Sequence, residues 1–212
     1  KIDINNVYSI DRFSDKDSTE GGISLAYGSD YSIFNNSKKI LDMQFANNIR
    51  LNKNDDISNQ NQIGEKVSNF FGKLYFSPHN NFETEYNFTY KNNLKELNEE
   101  NLLTTFKLHK LVSSFDYLNQ NKGSSKSSYI SNKTTFSVDE NNSLSFSARK
   151  NKTKDLTEYY NFMYQYKNDC LAASIEYNKN FYNDRDVKPN ENLVFKLTII
   201  PLGETNLPNF KI

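Results

Sequence analysis

A chain of 212 residues whose 26 basic and 26 acidic side chains cancel offers no cationic stripe for a nucleic-acid backbone, and by length it holds one domain or two small ones. Its mean hydropathy is −0.80, yet 16 Phe and 14 Tyr separate it from disordered chains, which lack aromatics. No run approaches the roughly 18 apolar residues of a transmembrane helix, and one Cys with two His excludes an internal disulfide and a zinc site.

The chain begins at Lys1 without Met, a charged leader or an apolar segment, so any export signal is expected upstream of a chain that reads as part of something longer. From there the dominant pattern is alternation. It runs through Ile23, Leu25 and Tyr27; Leu41, Met43, Phe45, Asn47, Ile49 and Leu51; and Phe70, Leu74 and Phe76. The clearest run follows, with Phe82, Thr84, Tyr86, Phe88 and Tyr90 on one face and Glu83, Glu85, Asn87 and Thr89 on the other. Next come Leu102, Thr104, Phe106 and Leu108; Ile130, Thr134, Phe136 and Val138; and Leu144, Phe146 and Ala148. The last runs are Tyr160, Phe162, Tyr164 and Tyr166; Leu171, Ala173, Ile175 and Tyr177; and Leu193, Phe195, Leu197 and Ile199. Successive side chains of a strand point to opposite sides, so each run predicts a strand with one apolar and one polar face, about eleven in all. The fold class is all-β.

Connections are expected to alternate in length. Residues 35–38, 77–81, 109–110, 139–142 and 167–169 are short; residues 53–66, 92–101, 120–127, 151–155 and 182–190 are long and polar. Antiparallel up-and-down strands with short turns at one rim and long loops at the other are the pattern of a transmembrane β-barrel. A Greek-key sandwich does not sort its loops this way. The polar faces carry full charges at Asp42, Arg50, Glu83, Glu85, Lys107, Asp116, Arg149, Glu176 and Lys196. A soluble barrel would bury the apolar set; a membrane barrel turns it to lipid and lines a wet lumen with the charges. Alternation alone does not separate the two. Runs of roughly 9–12 residues, the length of a tilted membrane strand, favour the membrane. So do the tyrosines near strand ends, Tyr159, Tyr160, Tyr164 and Tyr166, which suit an interfacial girdle.

Residues 9–28, SIDRFSDKDSTEGGISLAYG, form a loop entering a strand that ends in Tyr27-Gly28. Residues 68–90 carry a hairpin with Gly72, Phe76, Ser77 and Pro78; residues 166–177, YKNDCLAASIEY, place a cysteine in a turn; residues 185–203 close on Leu202-Gly203. In this order the stretches resemble the C-terminal barrel region of the LPS-assembly protein family (LptD, also called OstA or Imp). Arg12, Phe13, Asp17, Glu20, Gly21, Gly22, Tyr27 and Gly28 fit its loop motif. Asp11 stands for the usual Asn, Asp15 for the usual Gly and Phe76 for the usual Tyr. The resemblance implies a barrel of about 26 strands, of which this chain would hold the last eleven or so. It also implies a periplasmic jelly-roll upstream that takes lipopolysaccharide from a periplasmic bridge, and a lipoprotein plugging the lumen.

The resemblance further implies that Cys170, after the short turn, forms a disulfide with the N-terminal region; read from the residues alone it is a small side chain at a strand start. An odd cysteine in an exported protein does call for an outside partner. His79 and His109 have no nucleophile or carboxylate at a telling spacing and read as rim residues. Glu83 and Glu85, about 7 Å apart along one strand face, fall within reach of a glycosidase pair but read as wetted lumen carboxylates. There is no G-x-S-x-G, phosphate loop or HExxH, so no enzyme activity and no cofactor are expected.

The chain is therefore expected to be one unit, 1–212, the C-terminal portion of an outer-membrane barrel in a Gram-negative envelope. Its function would be transport and assembly of lipopolysaccharide through a laterally gated seam. Arg50, Glu83, Glu85, Lys107, Arg149 and Glu176 would face the lumen. Leu193, Phe195, Leu197 and Ile199, on a closing strand near 191–200, would carry insertion through the barrel-assembly machinery, which pairs with an edge strand. Pairing is expected to stop after Ile200, because Pro201 and Pro208 donate no ladder hydrogen bond, leaving 201–212 as a periplasmic tail. Another outer-membrane barrel, porin or uptake channel, and a soluble extracellular β-rich adhesin remain as alternatives.

Overall fold

The computed structural model describes residues 2–10, 12, 20–57, 62–122, 125–183, 188–199, 203–206 and 210–211. The strands are β1 Ser24–Asn35, β2 Lys38–Arg50, β3 Phe70–His79, β4 Phe82–Tyr90, β5 Leu97–Leu108, β6 Leu111–Lys122 and β7 Ser125–Ser137. They continue as β8 Asn142–Asn151, β9 Leu156–Lys167, β10 Leu171–Asn180 and β11 Asn190–Ile199, with two short ones, β12 Gly203–Asn206 and β13 Phe210–Lys211. Each is hydrogen-bonded to the next in one sheet of order β1 to β12, and β13 returns to β11. Among the described residues there is no helix, and β1 is not paired with β11. The chain is thus all-β, with eleven long antiparallel strands running up and down in an open sheet, as the alternation predicts.

The turns at one end are tight for local reasons. Asn36 and Ser37 both take positive φ, 46° and 67°, the conformation that matches a two-residue hairpin to strand twist. At the β7–β8 turn the Asp139 carboxylate accepts the backbone N–H of Asn141 and of Asn142, each at 2.8 Å. The other end departs from expectation in two places. β5 begins at Leu97 and β6 runs on to Lys122, with β7 starting at Ser125. Much of the expected loops 92–101 and 120–127 is therefore strand, and residues 123 and 124 lie outside the described ones. Polar side chains do not oppose a ladder when both faces are wet, so Glu99, Asn119 and Gln120 stay in paired backbone: Gln120 donates to Glu99 at 3.0 Å.

Pairing also does not stop after Ile200. β12 lies antiparallel to β11, Gly203 opposite Ile199 and Asn206 opposite Lys196, and β13 sets Phe210 and Lys211 opposite Leu193 and Asn192. The side of β11 away from β10 would otherwise present a row of unpaired N–H and C=O groups. The two prolines fall between the paired segments in sequence, so neither removes a ladder bond there.

The described chain divides into two compact units: Lys1–His79, Glu83–Leu102 and Leu118–Lys126; and Asn80–Phe82, Leu103–Tyr117 and Ser127–Ile212. In the first, register sorts the side chains cleanly. Leu25 lies opposite Ile49, Tyr31 opposite Met43 and Ile33 opposite Leu41, while Ser32 faces Asp42 and Ser24 faces Arg50. The same parity passes to β3, where Leu74 meets Met43 and Lys73 meets Gln44. On the apolar face Phe45, Phe70 and Phe88 gather with ring centroids 6.0 to 6.4 Å apart. They do so over Gly72, where a Cβ would stand 2.2 Å from the Phe88 ring.

The polar face of this unit is not bare. Ile2, Ile4 and Val7 pack with Ala46, Ile57, Ile63 and Phe71 in a buried cluster, and Ala46 and Phe71 belong to the polar side of β2 and β3. An N-terminal strap, with side chains from the 51–69 connection, thus covers the charged face. In the second unit Thr134, Phe146 and Phe162 lie in line across β7, β8 and β9, and Tyr164, Ile175 and Phe195 across β9, β10 and β11. Phe146, Phe162 and Ile175 are 42%, 47% and 43% exposed, whereas Ser145 on the opposite face is 7% exposed.

Gly72→Val should therefore cost about 1–3 kcal/mol, the usual penalty of overpacking, and Phe88→Ala in the same chain should recover part of it; heat-dependent gel mobility reads both. Asp139 is held below the usual carboxylate range by the Asn142 amide first and then by the Asn141 N–H. The turn it closes should be intact above the ordinary carboxylate range and loosen as pH falls through the lowered value, visible as faster amide exchange at Asn141 and Asn142.

Candidate functional site

The most buried charges lie on the polar face of the first unit. Glu20 accepts from Arg12 Nε at 2.7 Å and from an Arg12 terminal nitrogen, and from Arg50 Nη1 at 2.6 Å. The Arg12, Glu20 and Arg50 side chains are only 4%, 6% and 2% exposed. Arg12 also donates to Ser24 Oγ at 3.0 Å and to the Val7 carbonyl at 3.4 Å, and Arg50 donates to the Gly21 carbonyl. One carboxylate therefore ties the strap, the residues before β1 and the end of β2 into a single knot. Arg50 Nε and both amide atoms of Asn48 are buried without a hydrogen-bond partner.

Beside the knot the strap leaves space. Ile4, Asn5 and Tyr8 on one side and Gly28, Gln44 and Lys73 on the other line an open groove of about 630 Å³. Gly28 is required there, since a Cβ would fall 2.0 Å from the Phe45 backbone carbonyl oxygen and 2.1 Å from the Tyr8 hydroxyl. Gln44 and Lys73 of its lining continue into polar contacts along the strands: Gln44 donates to Asp42 at 3.1 Å, Ser32 donates to Asp42 at 2.6 Å, and Lys73 pairs with Glu85 at 3.0 Å.

The polar face of the second unit is built differently, from hydroxyls and amides with sparse charge. Lys196 reaches Glu176 at 2.9 Å, Glu176 accepts from Asn161, and Arg149 pairs with Glu158 at 2.9 Å. Thr135 and Ser145 share a hydrogen bond of 3.0 Å. A depression of about 510 Å³ is lined here by Ser131, Ser147, Tyr159, Asn161, Glu176 and Lys196, among others. Such a surface can exchange hydrogen bonds with a hydroxyl-rich ligand along its length. Among the described residues no three His, Cys, Asp or Glu converge to hold a metal.

Of the residues singled out in the sequence, Arg50 and Glu85 lie on the first unit's polar face, and alternation puts Glu83 beside Glu85. Arg149, Glu176 and Lys107 lie on the second unit's polar face, Lys107 by alternation with Thr105, which bonds Ser114 across to β6. Leu193, Phe195, Leu197 and Ile199 lie opposite Tyr177, Ile175, Ala173 and Leu171, continuing the apolar face to β11. Cys170 is exposed and free, its N–H on Asn168 Oδ1 at 3.0 Å. His79 and His109 are exposed. The strap and Glu20's role in the knot were not anticipated. The pair Ile2 and Ile4 alternates, but over too short a run to signal, and the acceptor role of Glu20 depends on Arg50, thirty positions away.

The family model described as "LptD: LPS transport system D" matches residues 1–132. That span takes in the 9–28 loop and the 68–90 hairpin; the stretches at 166–177 and 185–203 lie beyond it. No curated protein matches the chain.

Glu20→Gln should leave Arg12 and Arg50 buried without their counter-charge and cost about 3–5 kcal/mol, the range for removing one partner of a buried pair. Limited proteolysis should then cut within residues 2–12. Asp139→Asn, in an exposed turn, should leave that cleavage unchanged.

Proposed function

Because the chain belongs to the LptD family of LPS transport proteins, a transport rather than an enzyme family, we propose that its sheet is the C-terminal part of an outer-membrane barrel that delivers lipopolysaccharide to the outer leaflet. The observation that carries this reading is the inversion of polarity across the sheet. The buried side chains include Asp42, Asn48, Arg50, Ser68, Thr89 and Ser145, while Leu25, Tyr31, Phe34, Phe146, Phe162 and Ile175 stand exposed. In water each such side chain would forfeit about half of the roughly 1.5–3 kcal/mol that full burial supplies. In lipid the exposed set is solvated and the ladder satisfies the backbone. A soluble adhesin of the same strands would have to turn the other face outward.

On this reading Arg50, Glu83, Glu85, Lys107, Arg149 and Glu176 face the lumen, and the Ser-, Asn- and Thr-rich face of β7 to β11 gives sugar head groups a path of exchangeable hydrogen bonds. Acyl chains leave sideways through a seam beside β11, whose partner is a first strand upstream of this chain. β12 and β13 occupy that edge, as a segment that must yield when the seam closes. Cys170, at the short-turn end taken as periplasmic, pairs with a cysteine of the N-terminal region. The partners are the plug lipoprotein, the periplasmic bridge through an N-terminal domain, and the barrel-assembly machinery.

Phe146→Arg in the full-length protein should cost about 2–4 kcal/mol, as for a charge near the bilayer midplane on the lipid side, whereas Ser147→Arg should be tolerated; heat-modifiability in outer-membrane fractions distinguishes them. Phe195→Asp should block assembly while removal of residues 204–212 does not. In cells depleted of the native protein, the wild-type chain in its full-length context should restore surface lipopolysaccharide. Normal membrane assembly without that restoration would point to another kind of barrel.

A further inference from the structure

We propose that the long-loop end of β8, β9 and β10 carries, on the apolar side, a cationic and aromatic patch that seats the phosphate groups of lipopolysaccharide in the outer leaflet; this rests on the reading above that the apolar face meets lipid. Lys150, opposite Ile130, and Lys179, opposite Tyr160, are the last apolar-side residues of β8 and β10 at that end. The β8–β9 turn adds Lys152 and Lys154, both exposed. The ammonium of Lys152 stands 5.2 Å from the Tyr117 ring centroid, that of Lys154 5.5 Å from Tyr182, and that of Lys179 5.5 Å from Phe181.

One of these rings leads down into the apolar face. Phe181 meets Tyr160 edge-on at 5.5 Å, and Tyr160 stacks on Phe146 at 6.2 Å. Aromatic rings of this kind sit at head-group level. A lysine laid over one holds its charge at the same depth, with its alkyl stem on apolar surface. Two of the four ammonium groups are already matched, Lys150 by Asp155 at 2.7 Å and Lys179 by Glu191. Among the described residues no carboxylate lies within ion-pair distance of Lys152 or Lys154, so the patch keeps an excess of positive charge in a chain whose net charge is zero. What it can match at that depth is a lipid-borne anion, and the outer leaflet's phosphorylated sugar head group supplies one. Through Lys179 the patch also reaches β10, the strand paired with β11, beside which the proposed seam would release its cargo.

The full-length protein in detergent tests this. Its heat-modification midpoint is measured with intact lipopolysaccharide, with enzymatically dephosphorylated lipopolysaccharide and with inorganic phosphate. Expected is a saturable rise with intact lipopolysaccharide, half-saturation at about tenfold higher concentration without the phosphates, and no response to inorganic phosphate. Lys152→Gln with Lys154→Gln should weaken the intact ligand to the dephosphorylated level. Arg at both positions should retain it, and Lys110→Gln at the opposite end should change nothing. Equal response to both lipopolysaccharides, an unchanged double Gln variant, or an equal response to inorganic phosphate would each overturn the patch while leaving the transport reading standing. No response of the wild type to either lipopolysaccharide would overturn both. Should the double Gln variant fail to assemble, the comparison of ligands on the wild type still decides.

Discussion

Backbone pairing along an up-and-down sheet leaves no choice about where side chains go. Each strand is locked to its neighbour by a ladder, and each residue is forced to the side opposite the one before it. Once Leu25 is set opposite Ile49 and Ser24 opposite Arg50, the parity propagates through Met43 and Leu74 to the rest of that unit. The second unit obeys the same rule from Phe136 and Leu144 to Phe195. Everything else in the molecule is a response to two faces of opposite character that a single sheet cannot hide from each other.

The responses differ from face to face. On the apolar side, rings fill the gaps that a sheet without a second layer leaves open: Phe45, Phe70 and Phe88 close over Gly72 instead of over a neighbouring element. On the polar side of the first unit, the strap supplies the missing layer, and its apolar residues lie on Ala46 and Phe71 while the Glu20 knot holds it down. A carboxylate shared by two guanidinium groups is a costly thing to bury. It is tolerated because each guanidinium also finds a carbonyl or hydroxyl nearby.

Much of this was legible before any coordinates. β4, at Phe82–Tyr90, has the bounds that its alternation predicts, because a nine-residue run with four aromatics on one face and only polar side chains on the other admits no other periodicity. β2 and β9 to β11 are nearly as clear. What alternation does not carry is where a ladder ends: Asn, Ser and Glu at the ends of β5, β6 and β7 are as content in a wet strand as in a loop. Nor does a proline forbid pairing a few residues further on, as β12 shows. The knot was invisible for another reason. Arg12, Glu20 and Arg50 stand at unrelated places in the sequence, and only the β1–β2 register brings Arg50 to the start of β1, where Glu20 arrives.

The orientation of the sheet is the claim on which the functional account turns, and lipid contact measures it directly. With Cys170 and any cysteine of the N-terminal region replaced by Ser in the full-length protein, single cysteines at Phe162, Ile175 and Phe195, and at their neighbours Asn161, Ser174 and Lys196, are labelled with a fluorophore in proteoliposomes. Brominated acyl chains should quench the first three and spare the second three. Quenching of Asn161, Ser174 and Lys196 with protection of Phe162, Ile175 and Phe195 would contradict the account.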